Sequence, residues 1–141
     1  MSTPMPADAI GAEMFIGFNA HLKFRFAEWR PDLAALEVTI EPHLLNRSGL
    51  VHGGLLATLL DAALGFCGCF PAEDGRRRRA VTLSMTTTYV GQAKSGTIRA
   101  TARRRGGGKT VFMATGEVTD EAGNVLVIGE GTYRYIAETP R

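Results

Sequence analysis

The sequence predicts an α+β domain in which one curved antiparallel sheet of about six strands wraps around a long central helix. Three observations predict it. Leu50 to Phe66 is the most apolar window of the chain, built almost wholly of small and aliphatic residues; as a helix of about 16 residues it spans ~24 Å. Before it, Leu22–Trp29 and Leu36–Ile40 alternate apolar and polar residues, the period-two signature of strands. After it, segments rich in β-branched residues are separated by glycine-containing turns, which reads as more strands. So many strands around one long helix leave too few crossovers for a doubly wound sheet.

The elements follow in order. Residues 1–8 read as a loose tail. Ala9 to Asn19 carries Ile10, Met14, Phe15 and Phe18 at helical spacing, so a short helix is expected there. In the first strand Leu22, Phe24 and Phe26 face one side, against Lys23, Arg25 and Ala27. Pro31-Asp32 is a turn signal, and Leu36, Val38 and Ile40 form the face of a second strand. Pro42 ends that strand, because it has no N–H to donate. His43–Leu50 is a loop. The long helix follows and is stopped after Phe70 by Pro71, Asp74 and Gly75. Arg76 to Arg79 are consecutive arginines, read as a solvated loop or a phosphate-facing rim. Val81–Val90, Thr97–Arg105, Lys109–Thr119 and Val125–Ile136 are the expected strands of a four-strand meander. Their turns fall at Gly91–Gly96, Gly106–Gly108 and Asp120–Asn124, and residues 137–141 are a polar tail.

Composition narrows the function classes. With 141 residues and a net charge of +2, the chain 1–141 reads as one domain with a real core. That charge balance does not suggest a nucleic-acid partner. The apolar window is shorter than the roughly 20 residues a membrane span needs, and it is interrupted by Asp61. Cys67 and Cys69 are spaced as C-x-C, which is neither a redox nor a zinc spacing, so both read as small core thiols. The N-terminus lacks a basic segment followed by an apolar run. A cytoplasmic protein with reduced thiols is therefore expected.

The chemistry centres on the long helix. A carboxylate inside an apolar helix costs free energy unless it is paired or used, so Asp61 needs a reason. A helix starting near Gly53 would leave the N–H groups of Gly53, Gly54 and Leu55 as unpaired donors. Glycine lets a substrate approach such donors closely, as an oxyanion hole for an acyl group requires. A partly desolvated Asp61 could activate water or attack an acyl carbon. Eight residues separate Asp61 from Gly53, ~12 Å along the axis, too far for both to act on one carbonyl. Two antiparallel helices in a two-fold dimer would solve this, with Gly53 from one chain and Asp61 from the other. The plainer alternatives are an Asp61 satisfied by the hydroxyl of Thr58 or Thr82, and a His52-Gly53-Gly54 that is merely a loop-to-helix junction.

Together, Asn46-x-x-Gly49-x-Val51-His52-Gly53-Gly54-x-x-Ala57-x-x-x-Asp61 and the later Val81–Tyr89 resemble the hotdog-fold acyl-CoA thioesterases. The closer likeness is to the phenylacetate-pathway branch of the 4-hydroxybenzoyl-CoA thioesterase superfamily. The resemblance implies the hotdog fold, a long helix in a sheet, and hydrolysis of an acyl-CoA thioester without metal or bound cofactor. It implies that Asp61 is nucleophile or general base and that the Gly53 N–H polarises the thioester carbonyl. Asn46 and His52 match positions that orient the water or thioester and support the glycine turn, and Thr82 matches a hydroxyl that assists the water.

It also places a turn like Arg103–Thr110 beside the nucleotide, making Arg105, Gly107, Lys109 and Thr110 the expected contacts to coenzyme A. The alternative there is a solvated basic turn. Leu56, Leu60, Leu64 and Met85 are candidates for the acyl pocket, with core packing as their alternative. The family usually forms homotetramers. Hydratase or dehydratase chemistry using His52 with Asp61, and acyl-CoA binding without catalysis, remain open alternatives.

Overall fold

The structure, a computed structural model, describes residues 14–137. A short helix α1 (Phe18–His21) leads into the hairpin β1 (Arg25–Arg30) and β2 (Leu33–Thr39). A 3-10 turn at Pro42–Leu44 precedes the long helix α2 (Gly53–Cys67). Then come β3 (Arg79–Tyr89), β4 (Thr97–Gly107), β5 (Val111–Thr119) and β6 (Val125–Ile136). All six strands form one antiparallel sheet in the order β1-β2-β4-β5-β6-β3, and α2 packs against every strand. This is the hotdog arrangement: a helix held by a wrapping sheet.

Helix α2 buries one stripe, Leu55, Leu56, Leu59, Leu60, Ala63, Leu64 and Cys67, the i, i+4, i+8 spacing of a single face. Burying each leucine contributes about 1.5–3 kcal/mol. The opposite face carries Ala57, Thr58, Asp61, Ala62 and Gly65, all only half-buried. The helix stops at Cys67, earlier than the Phe70 expected, with Gly68 as its cap. A Cβ on Gly68 would lie 2.5 Å from the Phe112 ring, so glycine lets that ring close beneath the helix end.

The strand order differs from a simple meander. Of the four strands after the helix only β4-β5-β6 lie side by side in chain order; α2 carries the chain across the sheet, and β3 lands beside β6 at the far edge. Boundaries shift as well. The first strand begins at Arg25 rather than Leu22, and the second covers Leu33–Thr39, leaving Ile40 outside it. The fourth runs on to Gly107, so Lys109 sits in the turn rather than in the next strand. Of the helix expected at Ala9–Asn19, residues 9–13, with Ile10, lie outside the described residues, as do residues 1–8; within the described part only Phe18–His21 is α-helical.

A bulge explains the one aromatic that strict alternation misplaces. The register slips between Phe26 and Glu28, so Ala27 is extra and Trp29 returns to the face of Phe26. Their rings stack 4.7 Å apart, and the Trp29 Nε1–H donates to the Phe66 carbonyl at 2.9 Å, tying β1 to the end of α2. Asp32 has φ 65°, the left-handed conformation that its position in the tight turn after Pro31 requires.

Both thiols are buried and free. Burial pushes Cys67 up to about 12, helped by Cys69, and pushes Cys69 up to about 11. Thiolate is the reactive form. Native protein is therefore expected to resist iodoacetamide near pH 8, by intact mass, while a denatured sample takes up two labels. Rapid labelling of the native protein would contradict this packing.

Candidate active site

The start of α2 is built by the loop before it. The Asn46 Oδ1 accepts the N–H groups of Ser48 (2.9 Å) and Leu50 (3.1 Å), and Gly49 turns the chain with φ 74°. A Leu45–Val51 bridge and a bond from His52 N to Leu44 O (2.9 Å) close the loop. His52 is thereby set as the N-cap. Its Nδ1 accepts from Gly54 N at 2.8 Å, so in this tautomer the ring proton is on Nε2. A Cβ on Gly54 would stand 2.9 Å from that Nδ1, which is why glycine follows.

Of the three helix-start donors expected to be unpaired, two are used. Gly54 N–H goes to the His52 side chain, and Leu55 N–H goes to the His52 carbonyl at 2.9 Å. Among the described residues, only the Gly53 N–H of this trio has no acceptor. The Gly53 carbonyl accepts the Tyr89 hydroxyl at 2.6 Å, a contact that pins this peptide and that sequence reasoning missed.

Asp61 sits on the half-buried face of α2. Its Oδ1 accepts two hydroxyls, Thr82 Oγ1 and Tyr133 OH, each at 2.8 Å. Thr58 instead donates to the Gly54 carbonyl, so of the two hydroxyls weighed from sequence only Thr82 reaches the carboxylate. Among the described residues Asp61 has no salt-bridge partner and Oδ2 accepts no hydrogen bond. Neutral donors on one oxygen leave the charge uncompensated and the other oxygen open, as a base or nucleophile needs.

Tyr133 is 1% exposed; burial raises its hydroxyl far above the usual tyrosine range, and the Asp61 charge adds to this. The phenol therefore stays protonated and donates. Its signal in the sequence was faint: Gly129, Gly131 and Tyr133 alternate on one strand, small residues beside a large one.

The other sequence candidates are dispersed. Leu56, Leu60 and Leu64 are 3%, 0% and 0% exposed and are packed in the core rather than facing solvent; Met85 is half-buried against the same core. The space that does open beside the helix start is a cleft of about 360 Å³ lined by the expected site residue His52 together with Phe18, Leu22, Leu44, Leu45 and Leu55, the last five not foreseen as pocket residues. Arg105 donates to Thr115 Oγ1 at 2.7 Å in a groove of about 610 Å³ that also includes Thr86, Arg103 and Glu130. Gly107 has φ 130°, and a Cβ there would collide with the Val111 carbonyl, so its glycine is explained by the hairpin alone. Lys109 and Thr110 are exposed in the turn. In the arginine run, Arg76 pairs with Asp74 at 2.7 Å, and Arg78 lies 4.3 Å over the Tyr135 ring.

Residues 48–127 match the family model described as Thioesterase superfamily, a stretch that contains Gly53, Asp61, Thr82 and Tyr89. The chain belongs to the thioesterase superfamily. This thioesterase is 32% identical over 113 residues to acyl-coenzyme A thioesterase 13 of Mus musculus, covering 79% of each chain. It superposes on zebra fish thioesterase superfamily member 2 with a TM-score of 0.73 at 31% identity, covering 85% of this chain and 87% of that one. The E. coli PaaI protein from the phenylacetic acid degradation operon superposes with a TM-score of 0.74 at 22% identity, covering 85% and 84%, a likeness of fold. The protein is a thioester hydrolase. No helix among its described residues is long and apolar enough to cross a membrane.

Proposed function

We propose that this thioesterase hydrolyses acyl-CoA thioesters at sites shared between two copies of the chain. The observation that carries the reading is the pairing of unused groups on one helix: a free Gly53 N–H at its start and an open Asp61 Oδ2 two turns on. The Gly53 N–H, at the positive end of the helix dipole, polarises the thioester carbonyl and stabilises the developing oxyanion. Asp61 of the other copy takes a proton from a water that attacks the carbonyl carbon, or attacks that carbon itself to give a mixed anhydride that a water then hydrolyses. The C–S bond breaks, the acid is released, and the water's proton ends on coenzyme A, which leaves as the thiol. His52 and Asn46 hold the Gly53 peptide in place, and Thr82 steadies the carboxylate.

The joint between copies is best supplied by β3. It is an edge strand with one side unpaired, and Val81 and Leu83 are 44% and 55% exposed. A long unpaired edge of this kind is normally covered, and pairing it with a second β3 would continue the sheet across the two-fold and bring the open faces of two α2 helices together. Tetramers would follow from association of two such dimers. The acyl group rests in the apolar cleft beside the helix start, against Phe18, Leu22, Leu44, Leu45 and Leu55. The turn bearing Arg105, Gly107, Lys109 and Thr110 meets the phosphates of coenzyme A, with no metal or further cofactor and no nucleic acid involved; the cytoplasm, where acyl-CoA is made and used, is the expected compartment.

The test is a panel of aryl and aliphatic acyl-CoAs with detection of released thiol. At least one class is expected to be turned over well above the uncatalysed rate. Release at background for every member would remove acyl-CoA as the substrate class.

A further inference from the structure

Tyr133 is almost wholly buried, at 1% exposed, in a tightly bounded seat. It lies on β6, and a Cβ on Gly131, two residues earlier on the same face, would be 2.6 Å from the ring carbon Cε2 and 3.1 Å from the hydroxyl. From the helix side, a Cβ on Gly65 would be 3.6 Å from Cε1. Phe112 stacks on the ring with centroids 5.3 Å apart and planes 16° from parallel. A slot bounded by two glycines and a stacked phenyl admits the ring in one orientation. That orientation places its hydroxyl 2.8 Å from Asp61 Oδ1 and 3.3 Å from the Asp61 carbonyl.

We propose that Tyr133 is a positioning residue for hydrolysis, which with Thr82 locks Asp61 Oδ1 and so makes Oδ2 the oxygen that reacts. This rests on Asp61 being the reacting carboxylate. An aspartate on a helix can swing about its side-chain torsions, and its two oxygens are chemically alike. Two donors on one oxygen remove both freedoms. The remaining lone pairs of Oδ2 then point at the open face of α2, where a neighbouring chain would present the thioester. The arrangement has no cation in it, so the carboxylate is oriented without being neutralised. Because the phenol is buried and holds its proton, it donates at every pH at which the enzyme would work.

The slot supplies the reason the donor is a tyrosine. Its hydroxyl is carried on a rigid ring with two torsions, and both are fixed by packing, so little entropy remains to be lost when the bond forms. A misplacement of about 1 Å at a reacting group can cost on the order of 100-fold in rate.

The experiment compares Tyr133→Phe with Asp61→Asn and Thr82→Val, measuring kcat, KM and Tm on whichever acyl-CoA is turned over best. Tyr133→Phe keeps the ring and its stacking, and is expected to lower kcat about 10- to 100-fold with KM within about twofold and Tm nearly unchanged. The Thr82→Val change is nearly isosteric, lies across from Tyr133 on the exposed strand β3, and is expected to lower kcat in the same sense. The double variant is expected to lose more than the product of the two single losses, because each single variant still holds Oδ1 by one donor. A Tyr133→Phe kcat within twofold of the parent, while Asp61→Asn is inactive, overturns the positioning role and leaves Asp61 in place. A lowered Tm with raised KM and unchanged kcat marks Tyr133 as structural only and likewise overturns it. Full activity in Asp61→Asn overturns both the positioning role and the reading beneath it. Should Tyr133→Phe fail to fold, the Thr82→Val kcat decides alone: unchanged, it removes the lock on Oδ1.

Discussion

Asp61→Asn is expected to lower kcat by about 10²- to 10⁴-fold, the range associated with losing a positioned base or nucleophile, and to leave the fold intact. The structure explains why the two effects separate. The amide oxygen of asparagine can take the place of Oδ1 and still accept from Thr82 and Tyr133, so the buried phenol keeps its partner and no polar group is orphaned. What changes is the other position, where an NH2 that can neither accept a proton nor attack carbon replaces Oδ2. Thiol release under saturating substrate gives kcat, and a thermal melt gives the control. An unchanged rate would take Asp61 out of the chemistry; a large drop in Tm would mean that the rate loss reports unfolding.

Gly53→Pro is the second large effect expected, about 10²- to 10³-fold in kcat, as for loss of one oxyanion donor. Proline removes the N–H itself, which alanine would not. The site suits it: Gly53 is the first helical residue, where proline is well tolerated, and His52 before it has φ −61° and ψ 131°, the extended conformation that a residue preceding proline prefers. Gly53→Ala is the control. Its new Cβ would meet the Tyr89 ring at 3.4 Å, ordinary contact, so most activity should survive.

The same pair of variants tests whether a site is shared. In a mixed dimer of Gly53→Pro and Asp61→Asn chains, one of the two sites has both groups intact. An equal mixture that exchanges subunits freely should therefore recover roughly a quarter of the parent activity. No recovery, with exchange proven, would place both groups of each site on one chain.

Much of this was legible in the chain before its structure. The bounds of β6 were read to the residue, because Asp120 and Asn124 mark the turn and Val, Ile and Tyr fill the strand. The start of α2 at Gly53 was legible from the glycine pair, and Asp61 from its cost in an apolar helix. Other features escaped for physical reasons. Val81 and Leu83 are apolar residues of a strand, yet both are exposed; the register slips between Thr82 and Ser84, and which face of the sheet the helix covers is not written in the segment. Tyr133 stands 72 residues from Asp61, and no local period encodes that meeting. The helix-start donors look equivalent in the sequence, which does not show that His52 takes Gly54 with its ring and Leu55 with its carbonyl. The acyl pocket was sought among α2 leucines, but the heptad-like spacing that makes a leucine conspicuous is the same spacing that turns it toward the sheet.

The sheet side of α2 has a bearing on how freely this protein can drift in sequence. Leu60 sits where two side chains are missing: a Cβ on Gly116 would be 3.1 Å from its Cδ1, and one on Gly129 would be 2.8 Å from its Cδ2. Those two absent methyls set how close the helix lies to the strands, and Leu60 is the immediate neighbour of Asp61. These two glycines thus act as a spacer gauge for the carboxylate. A lineage that gained bulk at 116 or 129 would lift the helix away from Thr82 and Tyr133, so selection on catalysis would be felt as selection against size at two silent positions deep in the sheet.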